Sequence, residues 1–106
     1  MGADSGSEAV DFAYLEGFAA GDRQVVGEVL AMFLEQARAW GPGLTAANPG
    51  WRDLVHTIKG SARGIGANAL GDVCARAEAD GEGALPSVRE ALAAATAAIA
   101  GYQGKR

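Results

Sequence analysis

The chain contains one histidine, His56, within the run His56-Thr57-Ile58-Lys59-Gly60-Ser61-Ala62. A neutral imidazole nitrogen is nucleophilic near pH 7, because the ring's ordinary pKa is about 6.5. Its attack on an activated phosphorus gives a phosphoramidate, and a nearby cation offsets charge on the phosphoryl oxygens. Lys59, three residues on, reaches the same space if the segment is helical. Gly60 costs a helix interior about 1 kcal/mol relative to alanine. Lacking a Cβ, it leaves room beside the ring for a phosphoryl group or another protein. Rival chemistries have less support. One histidine and one remote cysteine, Cys74, supply no metal-ligand spacing, so no metal site is expected. A histidine base lacks an identifiable nucleophile, since Ser61 falls toward the core side of the helix. No glycine-rich loop follows a strand to cradle a phosphate.

The element that carries His56 can be laid out as a wheel at about 100° per residue. Leu54, Ile58 and Ile65 fall within about 20° of the position opposite His56, and Trp51 within about 40°, so these four form the expected core stripe. Arg52, Lys59 and Arg63 lie on one flank of the histidine, within about 60°. Asp53, Gly60 and Gly64 lie on the other, within about 80°. The imidazole is therefore expected on the solvent face. Arg52 and Arg63 extend a local positive strip that favours an anion and an acidic partner surface.

The remaining pattern is helical throughout. Phe12, Leu15, Phe18 and Ala19 suggest a short amphipathic helix over residues 11–19, ended by Gly21. Asp22 is a plausible N-cap for a helix to about Trp40, with Val26, Leu30, Phe33, Ala37 and Trp40 on one face. Asn48 can cap the third helix, with Pro49 at its first position and Gly66 at its end. A fourth helix over about 68–79 buries Leu70, Val73, Cys74 and Ala77. A loop then leads to a last helix from about Pro86, carrying Leu85, Val88, Leu92, Ala95, Ile99 and Tyr102. Four long helices joined by short loops, after one short N-terminal helix, predict an all-α, up-down-up-down four-helix bundle. Residues 1–10 read as a flexible polar lead-in, and residues 11–106 as the bundle domain.

Composition limits the function classes. At 106 residues the chain is one domain, with 49% apolar and 21% charged residues. A formal charge of −4 argues against nonspecific nucleic-acid binding. No apolar run approaches the roughly 20 residues that span a bilayer. A lone cysteine fits a reducing cytoplasm, and a cytoplasmic monomer is expected.

His56, Lys59, Gly60, Ser61 and Ala62, followed by Gly66, Ala67, Leu70, Cys74 and Glu78, resemble the H-x-x-K-G-S-A…G-A-x-x-L…C-x-x-x-E signature of histidine-containing phosphotransfer (Hpt) domains. The resemblance implies a four-helix bundle with the histidine exposed in mid-helix. It further implies that a phosphoryl group passes from one response-regulator receiver aspartate to His56, then to another receiver aspartate in a multistep phosphorelay. By the same resemblance His56 is the phosphoacceptor, Lys59 assists electrostatically and Gly60 keeps the approach clear. The receiver supplies a magnesium ion, and the domain needs no cofactor of its own. Receiver domains or a hybrid histidine kinase are the implied partners. Arg63 and Gly64 occupy variable positions of the pattern. With no ATP-binding or autokinase segment in view, a free-standing shuttle is expected rather than an enzyme with independent turnover.

Val25, Val29 and Met32 form a second apolar strip on the second helix. They either pack under the N-terminal helix or flank His56 and dock a receiver, together with Arg52, Arg63 and Gly64. The alternative function is a helical adaptor that binds a receiver or kinase without accepting phosphate, although an adaptor has no need of the imidazole.

Overall fold

Two aspartates open the first two helices of the computed structural model, which describes residues 9–104. The Asp11 carboxylate accepts from the Tyr14 amide at 3.1 Å and starts α1 (Phe12–Phe18). Asp22 Oδ1 accepts from the amides of Gln24 and Val25, at 3.0 and 3.2 Å, and starts α2 (Arg23–Trp40) as the sequence predicts. Each cap satisfies first-turn amides that lack a carbonyl partner, worth about 1 kcal/mol. A 3-10 turn, Gly41–Gly43, leads toward α3 (Trp51–Gly64), then α4 (Asn68–Asp80). A second such turn, Glu82–Ala84, leads directly into α5 (Leu85–Gly104).

The start of α3 departs from expectation. Gly50, not Asn48, holds the capping position, so Pro49 lies before the helix. Asn48 serves the loop instead. Its Oδ1 accepts from the Gly50 amide and its Nδ2 donates to the Gly43 carbonyl, both at 2.9 Å. An asparagine closes such a turn by the same side-chain chemistry that caps a helix, so residue type alone does not separate the two.

Helices α2 to α5 pack each against the next, and α5 returns to α2. Arg89, near the start of α5, donates to the carbonyl of Leu44 just beyond α2. Gln103, near the end of α5, donates to the Gly27 carbonyl in the first turns of α2. The two helices are therefore antiparallel, and the expected up-down-up-down bundle is the observed one. Leu30, Ile58, Leu70, Val88 and Ile99 meet in its fully buried centre. Burying each such side chain contributes about 1.5–3 kcal/mol.

The core stripe of α3 differs in detail from the wheel. Val55, Ile58, Ala62 and Ile65 are buried, whereas Leu54 and Trp51 are half-buried. The stripe is centred about 40° closer to Lys59 than the bulkiest residues suggest, because the small Ala62 faces inward.

Helix α1 sits over the α3–α4 turn. Asp11 donates its amide to the Gly66 carbonyl at 2.8 Å, and Val10 and Leu15 are buried. Gly66 has φ +84°, and a Cβ there would lie 2.8 Å from the Asp11 carbonyl, so conformation and contact both call for glycine. Of the lead-in expected over residues 1–10, residues 1–8 lie outside the described residues, while Ala9 and Val10 pack against the core. Phe12 stacks on Tyr102 at 4.2 Å between ring centroids, but Phe18 is 77% exposed instead of sharing the apolar face. Among the described residues no helix is long and apolar enough to cross a membrane.

Candidate phosphotransfer site

His56 stands in the middle of α3 with its side chain 70% exposed, on the face that the wheel assigns to it. Its Nδ1 lies 2.9 Å from Glu78 Oε2 on α4. Lys59 Nζ pairs with the other oxygen, Glu78 Oε1, so one carboxylate gathers both candidate side chains of α3. The Lys59 ammonium holds the Glu78 carboxyl below its ordinary value. Burial opposes this in part, and the bond to His56 reinforces it. Glu78 is thus ionised at neutral pH, and an ionised carboxylate only accepts hydrogen bonds. Nδ1 is therefore the protonated nitrogen of the neutral ring, which leaves the lone pair on Nε2.

Gly60 leaves the space beside the ring open: a Cβ built there meets nothing within 4 Å. The same holds for Gly64, which lines a shallow cleft of about 270 Å³ with Val29, Met32, Phe33, Gln36, Ser61 and Ile65. Val25 and Met32 are exposed and Val29 is half-buried, so α1 does not cover this strip. Tyr14 and Phe18 of α1, the second expected on the apolar face, are also exposed and stack with centroids 6.5 Å apart.

The cations of α3 have partners within the protein. Arg63 Nη2 lies 3.5 Å from Asp72 Oδ1, and its stem crosses Gly71, where a Cβ would come within 2.9 Å of Arg63 Cγ. Arg52 donates from Nη1 to the main-chain carbonyl of Glu78. The expected positive strip is therefore a seam between α3 and α4, with Lys59 half-buried in it. In the sequence alone, Glu78 has no role beyond its place in the signature. A signal was present, because Leu70, Cys74 and Glu78 stand at i, i+4 and i+8. A carboxylate that continues a buried stripe requires a partner. Among the described residues no group of three or more histidine, cysteine or acidic side chains is placed to hold a metal ion.

The family model described as the Hpt domain matches residues 28–102, most of the chain. The chain belongs to the Hpt domain family. A solved structure, the histidine phosphotransferase ShpA from Caulobacter crescentus, is 61% identical to this Hpt domain. Its TM-score is 0.87, with 92% of each chain covered. No curated protein sequence matches the chain significantly. The Hpt match includes α3 and α4 in full, and with them the His56–Glu78–Lys59 cluster.

Proposed function

We propose that this Hpt domain acts in a multistep phosphorelay, carrying a phosphoryl group on His56 Nε2 between receiver-domain aspartates. The observation that carries the reading is the exposed, mid-helix imidazole whose Nδ1–H is held by Glu78. In the forward step the Nε2 lone pair attacks phosphorus. The bond from phosphorus to the aspartyl oxygen breaks, and the receiver's carboxylate leaves with the electron pair. Nδ1 keeps its proton, so the ring becomes positively charged beside the Glu78 carboxylate, which stabilises it. No proton needs to move. The reverse attack by a second receiver's aspartate expels a neutral imidazole in the tautomer it started from, so uptake and release use one geometry.

Lys59 supplies positive charge near the transferred group while it anchors Glu78, and Gly60 leaves the approach to Nε2 unobstructed. The receiver's magnesium ion, expected from the family resemblance, offsets charge on the phosphoryl oxygens. The exposed strip of Val25, Val29 and Met32, next to Gly64, provides an apolar docking surface on the α2–α3 side. The domain is a carrier without turnover of its own, working as a cytoplasmic monomer.

The test is phosphoryl transfer from a panel of phosphorylated receiver domains, with His56→Gln alongside. An acid-labile, base-stable label that disappears in the variant supports the carrier. Receiver binding without labelling of the wild-type protein would instead establish an adaptor.

A further inference from the structure

Arg52 precedes His56 by one helical turn, and the sequence groups it with cations awaiting an acidic partner. The structure gives it a different engagement. Its guanidinium donates to the Glu78 carbonyl, and its Cζ lies 4.6 Å from the centroid of the Trp51 ring. That carbonyl belongs to the last turn of α4, where carbonyls lack amide partners within the helix. Beyond it Gly81 turns the chain at φ +101°, and its amide returns only to the Ala77 carbonyl. A cation at this end also faces the negative pole of the helix dipole. The residue whose main chain Arg52 holds is the one whose side chain holds His56 Nδ1 and Lys59 Nζ.

We infer that Arg52 is a positioning residue. By capping the last turn of α4 from the neighbouring helix, it fixes the Glu78 carboxylate against Nδ1–H and so keeps the lone pair of His56 on Nε2. Its consequence for transfer rests on His56 being the phosphoacceptor, as proposed above; its consequence for the ring tautomer does not.

The tautomer is read directly by long-range proton–nitrogen NMR correlation on protein labelled with 15N-histidine, which gives one ring because the chain has one histidine. In the wild-type protein the protonated nitrogen should be Nδ1. Arg52→Ala should lower the ratio of the Nδ1–H to the Nε2–H tautomer by about three- to tenfold, the range that a weakened hydrogen bond spans. Arg52→Lys, which keeps a cationic donor, should recover part of that ratio. Arg52→Met, which preserves most of the stem and removes every donor, provides the comparison if the alanine variant does not fold. Phosphotransfer should fall in the order of the tautomer ratios. An unchanged tautomer ratio in folded Arg52→Ala or Arg52→Met protein would overturn the inference. If loss of receiver affinity accompanied it, Arg52 would be a docking residue. Failure of the wild-type protein to accept phosphate would remove the proposed function and leave the tautomer comparison standing.

Discussion

Glu78 holds a protonated lysine and a histidine on a single carboxylate, so its ionisation is coupled to folding. Its carboxyl is held below the ordinary range in the folded state, first by the hydrogen bond from Lys59. The unfolded chain returns it to about 4.3. The stabilisation is therefore fully present above that unfolded value and is lost as pH falls through the lower folded one. Glu78→Gln should unfold at lower urea than the wild type at pH 7, and the gap between the two midpoints should shrink as pH falls below the unfolded carboxyl value. A difference that persists undiminished in acid would show that packing, not charge, makes Glu78 important. At this scale the sequence was half legible. His56, Lys59 and Gly60 announced themselves by type and spacing, whereas the tie to Glu78 needs two helices in register, and spacing along one helix carries no such information.

On α3, the face around His56 is open because Gly60 has no side chain, and nothing else fills that space. Gly60→Ala fits without a contact and should stabilise the fold by about 0.5–1 kcal/mol through helix propensity alone. Gly60→Leu should also fold, yet lower phosphotransfer by about 10–100-fold, since displacing a reacting group by about 1 Å brings losses of that order. Urea melts and transfer rates on the same samples check both. Full transfer by the leucine variant would mean that the receiver does not approach across Gly60. The existence of this helix and its solvent face follow from periodicity, but its core centre does not. Val55 and Ala62 are buried because α3 turns its small residues into the bundle. That rotation places Lys59 in the seam with α4. Asn48, similarly, has one side-chain chemistry and two possible uses, and only the course of the loop from Gly43 to Gly50 selects between them.

Over the whole molecule, the bundle was legible because four apolar stripes of helical period and short connections leave few other arrangements. The seating of α1 on the α3–α4 turn was not, since it depends on the contact between Asp11 and Gly66. Bundle integrity has a convenient reporter in Cys74, which is fully buried in the core. Burial, with the Glu78 charge adding to it, pushes its thiol up to about 11. A thiolate is the reactive form, so a thiol reagent at pH 8 should label Cys74 only through opening of the bundle. Labelling should accelerate about 100-fold or more across the urea unfolding transition. Fast labelling of the native protein would show that α4, which carries Glu78, detaches readily.

The most direct test of the central claim is to locate the phosphorus on the ring. After transfer from a phosphorylated receiver to protein labelled with 15N-histidine, phosphorus–nitrogen NMR coupling identifies the bonded atom. Transfer by the proposed mechanism requires coupling to Nε2 of His56, with the proton retained on Nδ1. Phosphorus on Nδ1, or on any residue other than His56, would contradict it.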